Sequence, residues 1–167
     1  MAHTLEGFAA DCRRALKENP GRAGREKVRA LVEDILKDRD FVAKHIDGPA
    51  ERNVIYEDKE LGFCILAHVY KDAKGSHPHD HGPSWAIYGQ AEGETEMTDW
   101  QLVEAPRDGK PGKVRFGRLY TLKPGMAHIY NEGDLHSPRR AGPTRLLRIE
   151  GTNMDRVKRL AFEKIAD

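Results

Sequence analysis

Residues 62–82 read GFCILAHVYKDAKGSHPHDHG, and this stretch is the most informative about the architecture of the chain. A mostly apolar run leads through a turn at Lys74-Gly75 to three histidines at alternate positions, His77, His79 and His81. Successive side chains of a strand point to opposite faces, so histidines two residues apart present their imidazoles on the same side. Two neutral imidazoles on one face provide half of a transition-metal site.

The sequence around this stretch is typical of an antiparallel β protein. Between residues 52 and 151, short segments rich in apolar and β-branched residues are separated by turn residues such as Glu92-Gly93 and Lys123-Pro124-Gly125. Strands are predicted at 53–56, 62–70, 85–90, 94–102, 115–121, 127–130 and 144–151. Many short strands at a spacing of about ten residues predict a sandwich or a barrel.

Both ends of the chain show helical spacing instead. Residues 5–16 place apolar side chains at i, i+3, i+4 and i+7, and further helices are predicted at about 24–37 and 41–46. Near the other terminus, apolar residues between 157 and 165 fall on one side of a predicted helix over 153–166. We therefore predict a mainly β single domain, residues 1–167, with a helical segment at 1–48, a barrel at 52–151 and a C-terminal helix.

Composition narrows the classes of function. Lys and Arg total 28 against 27 Asp and Glu, and a net charge of +1 favours neither nucleic acid nor a membrane surface as partner. No apolar run reaches the ~18 residues of a transmembrane helix, and the N-terminal residues lack a signal-peptide pattern. Cys12 and Cys64 are far apart and suit a reducing compartment, so we expect a cytoplasmic protein.

The His79-x-His81 pair and a later segment resemble the two motifs of the cupin superfamily, which implies a cupin-type antiparallel β-barrel, or jelly roll. The second motif, G-x5-P-x-G-x2-H-x3-N, is matched by Gly125, Asn131, Gly133, His136 and Arg140. Asn131 replaces the proline of that motif and Arg140 replaces its final asparagine. The resemblance implies that His136 is the third metal ligand. His128 fits a weaker register and is expected to be a polar pocket or surface residue.

The carboxylate ligand that is usual in cupins has no counterpart here. It would fall at Trp85 or Ala86, neither of which binds metal, and Glu92, Glu94 and Glu96 come too late in the sequence. The predicted ligand set is therefore three neutral imidazoles. His77 is expected to lie beside the site on the approach loop.

A three-histidine cupin without the glutamate is similar to the cysteine dioxygenase (thiol dioxygenase) family. The resemblance covers about residues 50–151 and includes Arg52-Asn53, His79-Asp80-His81, Gly93 and Gly133-x-x-His136. It implies non-haem Fe(II), a small thiol substrate and O2, with a sulfinic acid as product. It also implies that Arg52 pairs with a substrate carboxylate and that Tyr70 lines the pocket, although Arg52 beside Glu51 also reads as a surface residue.

The last strand departs from that family. Its Ser-x-His-x-Tyr relay is replaced by Leu146, Arg148 and Glu150, and Ala86 stands where animal members have a cross-linked cysteine. Arg148 and Glu150 share one face of the predicted strand. Facing inward they would be a buried ion pair beside the metal, and facing outward they would be ordinary exposed charges. Tyr88, with Tyr120 and Tyr130 as alternatives, is a candidate for the missing phenol.

Three functions follow from this sequence. The first is an Fe(II) dioxygenase of a small thiol or chelating carboxylate, with His79, His81 and His136 on the metal and Arg52 or Arg148 orienting a substrate carboxylate. The second is a redox-neutral enzyme, a hydrolase or isomerase, because imidazole sites also accept Zn, Ni and Cu. The third is a cupin without catalytic activity that binds a small anion.

Overall fold

A computed structural model describes residues 2–166 of the chain. Three helices come first: α1 (Leu5–Glu18), α2 (Arg22–Ile35) and α3 (Arg39–His45). Thr4 caps α1 by accepting a hydrogen bond from the Gly7 N–H, and Asp38 caps α3 in the same way. The helices predicted between residues 5 and 46 are confirmed. Over the described residues, no helix combines the length and apolar character needed to cross a membrane.

Ten strands follow in the described part of the chain. They are β1 (Arg52–Glu57), β2 (Cys64–Tyr70), β3 (Lys74–Gly75), β4 (Ala86–Glu92), β5 (Thr95–Glu104), β6 (Gly112–Leu122), β7 (Ala127–Tyr130), β8 (Leu135–Arg140), β9 (Thr144–Glu150) and β10 (Phe162–Lys164). All seven predicted strands are present. One sheet has the order β1-β2-β9-β4-β7 and the other β10-β6-β5-β8-β3.

The two sheets face each other across a small core. Ala86, Tyr88 and Leu146 from the first sheet pack with Met97 and Leu122 from the second. Nearly all strand pairs are antiparallel, the exception being β10 with β6. This is the predicted cupin-type jelly roll, a mainly β fold whose interior lies between the sheets.

The helices cover the outer face of the first sheet. Ile65, Ile87 and Ile149 project from that face into a core shared with α1 and α2. At Gly89 an added Cβ would lie 2.5 Å from Cγ1 of Val32, so only a residue without a side chain allows α2 to approach β4 this closely. Alternate residues of these strands therefore point inward to the barrel and outward to the helices.

The predicted C-terminal helix at 153–166 is wrong. Asn153 caps only a single 3-10 turn, Met154–Arg156, and Phe162–Lys164 is the extended strand β10. Gly112 donates its N–H to the Ala161 carbonyl and Ile165 donates to that of Val114, so the edge of β6 fixes this segment as strand. Sheet hydrogen bonds have overridden a weak local helical pattern, a familiar outcome because propensity is only a weak prior.

Candidate metal centre

Two backbone hydrogen bonds bring the His-x-His segment and β8 together. His79 N–H donates to the carbonyl of His136 at 3.0 Å, and His136 N–H donates to that of His79 at 2.9 Å. These residues thus form a directly opposed antiparallel pair, although 57 positions separate them in sequence. A short Asn131–Asp134 turn with Gly133 at φ +81° places the start of β8.

His79, His81 and His136 converge on one point. One ring nitrogen from each lies within 4.8 Å of the others, and no carboxylate belongs to the group among residues 2–166. His81 and His136 are fully buried, whereas His79 is partly exposed. The structure thus brings together the three ligands expected from the sequence, in an arrangement that could hold a metal ion.

The hydrogen bonds of the ring nitrogens are also those expected of metal ligands. Nδ1 of His79 donates to the carbonyl of His77 at 2.8 Å, and Nδ1 of His136 donates to that of Asp134 at 2.9 Å. These contacts orient both rings and occupy Nδ1, so Nε2 is the nitrogen of each that could bind a metal, the usual arrangement of metal-binding histidines. Nδ1 of His81 is buried without a hydrogen-bond partner among the described residues.

All three imidazoles are held neutral. Burial lowers the pKa of His79 to about 4 despite the contact with the His77 carbonyl. Burial, followed by the neighbouring His136 ring, lowers the pKa of His81 far below its usual value, and burial does the same for His136. A neutral imidazole is the form that binds a metal.

Tyr88 projects from β4 into the same cluster. Its hydroxyl lies 2.9 Å from Nε2 of His81 and 3.2 Å from Nε2 of His136. The side chain is fully buried, and burial raises the pKa of the phenol. Of the three tyrosines considered, Tyr88 is the one whose hydroxyl contacts the histidines. Tyr120 and Tyr130 bind each other through their hydroxyls at 2.6 Å.

A cavity of about 440 Å³ opens in front of this cluster. His79 and Tyr88 form part of its wall, so the cavity reaches the histidine cluster. Its cationic lining residues are Lys74, Arg140, Arg148 and Arg159, and no Asp or Glu of the described chain lines it. His77 and Tyr70 also line the cavity, as expected from the sequence. The cavity is therefore suited to a small anion.

Arg148 and Glu150 face inward, which settles the question of strand orientation. Arg148 lies opposite Tyr88 on the neighbouring strand, and its guanidinium carbon is 4.0 Å from the centre of the Tyr88 ring. Glu150 is fully buried and lies 3.8 Å from Arg148. The carboxylate is thus close to Arg148, but its stronger contacts are to another residue.

That residue is Arg52, whose predicted role in substrate binding needs correction. Its two terminal nitrogens donate to both oxygens of Glu150 at 2.8 and 3.0 Å, and its Nε donates to Asp155 at 3.0 Å. Arg52 does not line the cavity. Because Glu150 and Asp155 occupy its guanidinium fork, Arg52 is not free to pair with a substrate carboxylate.

Sequence reasoning missed two buried polar residues. Arg140 was noted only as a motif replacement, yet it follows His136 by four residues on β8 and so points to the same face. His68, on β2, is buried with Nδ1 3.1 Å from the Tyr70 hydroxyl. Strand alternation would have predicted both. His128 packs on the rings of Tyr120 and Tyr130 and is not part of the metal cluster.

Comparisons with known proteins concern the fold. No protein-family model and no curated protein sequence matches this chain. Among solved structures, the Schizosaccharomyces pombe Cnp3 cupin domain is similar, with a TM-score of 0.46 and 12% identity over 61% of this chain and 60% of that one. The match thus spans less than two thirds of that protein's length.

Two bacterial structures show a similar level of likeness. KdgF from Halomonas sp. has a TM-score of 0.47 and 15% identity, over 64% of this chain and 82% of that one. An uncharacterized conserved protein with a double-stranded beta-helix domain from Klebsiella pneumoniae has a TM-score of 0.48 and 16% identity, over 70% and 85% of the two chains. Likenesses this weak carry no information on activity, and the resemblance to cysteine dioxygenases stays a prediction.

Proposed function

We propose that this protein is a non-haem Fe(II) dioxygenase that uses His79, His81 and His136 to hold the metal and oxidises a small thiol or chelating carboxylate with O2. The observation that supports this most is the three-imidazole cluster beside a cavity lined by cationic side chains. Neutral ligands would leave the ion its full positive charge, which favours an anionic substrate donor. Three protein ligands also leave positions open for small molecules.

A bound iron ion would supply the one-electron chemistry that O2 requires, and the protein would supply geometry and environment. The reciprocal His79–His136 backbone pair sets the spacing of two ligands before any metal arrives. The buried rings of Tyr88 and Tyr130 pack around His136 and exclude water from that side. Tyr88 and His136 belong to strands, and His79 is paired with β8 through its backbone, so these three parts of the site are held by sheet hydrogen bonds.

Tyr88 takes the place of the relay missing from the last strand. Its hydroxyl is within hydrogen-bond distance of two ligand nitrogens, so it also lies within reach of a small molecule bound at the same centre. We assign to it the holding and delivery of a proton at Oη. Arg148 packs on the face of the same ring and keeps the phenol in position.

Glu150 serves as a positioning residue in this proposal. It contacts Arg52 and Arg148 but does not line the cavity. Glu150 accepts two hydrogen bonds from Arg52 and lies 3.8 Å from Arg148, so it helps to fix the positions of both arginines. Its effect on catalysis is therefore indirect.

The test is O2 consumption by protein loaded anaerobically with Fe(II). Cysteine, 3-mercaptopropionate, 2-mercaptoethanol, oxalate and malonate are supplied in turn, and products are identified by mass spectrometry. We expect O2 uptake with at least one of them and none from the His136→Ala variant. If no compound elicits uptake, the dioxygenase proposal is wrong. Turnover of an organic substrate by the zinc-loaded protein without O2 would favour the redox-neutral alternative.

A further inference from the structure

Two tyrosines connect the histidine cluster to the protein surface through a chain of close contacts. The ring of Tyr130 lies 4.0 Å from that of His136 and 4.8 Å from that of Tyr88, measured between ring centres. The Tyr130 hydroxyl is 2.6 Å from the hydroxyl of Tyr120, which donates to Oδ1 of Asp99 at 2.9 Å. The chain thus begins at a candidate metal ligand and ends at a carboxylate.

The hydrogen bonds in this chain all point the same way. An ionised carboxylate can only accept, so the Tyr120 hydroxyl donates to Asp99 and the Tyr130 hydroxyl donates to Tyr120. Nε of Arg118 donates to the second oxygen of Asp99 at 2.7 Å and holds that carboxylate in place. A proton can therefore pass from each phenol toward Asp99 without a change of side-chain position.

The chain runs from the buried interior to water. Tyr130 is 1% exposed and Tyr120 is partly buried, whereas the side chains of Asp99 and Arg118 are 27% and 63% exposed. Burial raises the pKa of both phenols, so each keeps its proton near neutral pH. Asp99, by contrast, can exchange a proton with solvent.

This arrangement has the two properties that oxidation of a buried tyrosine requires. A phenol that loses one electron becomes strongly acidic, so the loss is favourable only where a base accepts the phenolic proton, and Asp99 is that base. The electron itself needs aromatic groups in close contact, and the rings of His136, Tyr88 and Tyr130 provide them. A buried tyrosine that only fills the core needs one partner for its hydroxyl and no connection to the surface.

We propose that Tyr130, Tyr120 and Asp99 form a redox path that carries one oxidising equivalent from the metal centre to the surface when no organic substrate is bound. The inference rests on the metal-binding part of the proposed function and is independent of the substrate. The oxidant is the iron centre after reaction with O2 or peroxide, and the final reductant is a soluble thiol. The path would protect the ligand histidines from oxidation.

Electrons and protons balance along this path. Tyr130 gives one electron to the metal centre and its phenolic proton to the Tyr120 oxygen, while Tyr120 passes its own proton to Oδ1 of Asp99. A hydrogen atom then moves from Tyr120 to Tyr130, which leaves a tyrosyl radical at Tyr120. A soluble thiol returns a hydrogen atom to Tyr120 and becomes a thiyl radical, and Asp99 releases its proton to water.

The experiment adds hydrogen peroxide to Fe(II)-loaded protein without organic substrate and follows radicals by freeze-quench electron paramagnetic resonance. Protein made with ring-deuterated tyrosine identifies a tyrosyl radical, because its ring-proton splittings then collapse. We expect a tyrosyl signal in the original protein and its loss in Tyr120→Phe. Asp99→Asn removes the proton acceptor and should slow formation of the signal by about 100-fold, a typical contribution of a positioned base.

Tyr56→Phe is the matched control. Tyr56 also donates to a carboxylate, Asp58, and also contacts an arginine, Arg13. It lies on β1 and packs against the core shared with the helices, away from the histidine cluster. Tyr56→Phe should therefore keep the full radical signal.

Mass spectrometry of the same samples locates the residues that are oxidised. In the original protein we expect oxidation at Tyr120, and in Tyr120→Phe we expect it at the ligand histidines instead. Iron content is measured in every sample. If Tyr120→Phe does not fold or does not bind iron, the mapping in the original protein still decides, because oxidation that spares Tyr120 would overturn the proposal.

The absence of a tyrosyl radical in the original protein would also overturn it, as would an unchanged signal in Tyr120→Phe or an equal loss in Tyr56→Phe. O2 uptake with organic substrates is a separate readout. A radical at Tyr120 without such uptake would refute only the dioxygenase, and uptake without a radical would refute only the redox path.

Discussion

Arg148 and Tyr88 stand directly opposite each other on β9 and β4, with the guanidinium carbon 4.0 Å from the centre of the phenol ring. The hydroxyl of that ring is 2.9 Å from Nε2 of His81. The Tyr88 side chain therefore contacts Arg148 through the face of its ring and the histidine cluster through its hydroxyl. Tyr88 thus links the buried arginine Arg148 to the candidate metal ligands.

Removal of the Tyr88 hydroxyl should impair turnover more than metal binding. Tyr88→Phe keeps the ring that packs on Arg148 but loses the proton at Oη, so we expect O2 uptake with the best substrate to fall by about 100-fold or more. Iron content should stay near one per chain. Tyr130→Phe is the control, because its ring also contacts His136 while its hydroxyl binds Tyr120. Similar losses in both variants would argue against a specific role for Tyr88.

Substitution of His136 should weaken metal binding, whereas substitution of His128 should not. His136→Ala removes one of three ligands and is expected to weaken metal affinity by at least about 100-fold, since loss of even an outer partner of a ligand costs about 10- to 100-fold. His128→Ala should bind metal normally, because His128 lies among tyrosine rings outside the cluster. Equilibrium dialysis with elemental analysis measures both. A normal affinity in His136→Ala would contradict the ligand assignment.

Glu150 should matter for stability. Glu150→Gln removes the charge that faces Arg52 and Arg148 in a buried position, and we expect a loss of about 2 to 3 kcal/mol in the free energy of unfolding, less than for a fully buried pair because Arg52 is partly exposed. Urea unfolding measures it. Glu96→Gln, which breaks the exposed pair with Arg139, should change stability by less than about 0.5 kcal/mol. Equal losses of unfolding free energy in the two variants would show that the buried ion pair stabilises the fold no more than the exposed one.

The contact between α1 and the barrel should give an acid-dependent stability. Burial raises the pKa of Asp58, but hydrogen bonds from Leu61, Arg13 and Tyr56 outweigh it and leave the pKa below the usual value of 3.8. A lowered pKa in the folded state stabilises the fold above the unfolded pKa, and that contribution disappears as the pH falls through the folded pKa.

We therefore expect Asp58→Asn to be less stable than the original protein at pH 7. The difference should begin to narrow near pH 3.8, where the carboxylate is half protonated in the unfolded chain, and should narrow further as the pH falls through the lower pKa of the folded state. Urea unfolding across this pH range measures it, with Asp72→Asn on an exposed loop as the control. A difference that does not depend on pH would assign the loss to packing instead of charge.

The strands and the N-terminal helices were predictable because each carries a periodic apolar pattern that its surroundings reinforce. Residues 62–70 alternate between the helix-covered face and the barrel interior, and 5–16 bury one helical face. The tail failed for the converse reason. Val157, Leu160, Ala161 and Ile165 together have helical spacing, but Leu160 and Ile165 are exposed and the segment pairs with β6 through its backbone, which decides the conformation.

Within the site, the spacing of motif residues in the sequence indicated His79, His81 and His136. The sequence could not show which charged residues pair with each other. The partner of Arg52 is 98 residues away, so sequence alone could not show that Glu150 occupies its fork. Sequence also left the orientation of Arg148 open, because only the register of β9 between β2 and β4 turns that residue inward. Arg140 could have been found by extending the alternation from His136 along β8.

Anomalous diffraction at the iron edge, from crystals grown with Fe(II) under anaerobic conditions, would show directly where the protein holds the metal. We predict one strong peak between His79, His81 and His136, at about 2.0 to 2.2 Å from one ring nitrogen of each, the range of metal–imidazole bonds. A peak elsewhere would contradict this prediction. So would the absence of a peak at these residues in crystals of protein that is shown to bind iron in solution.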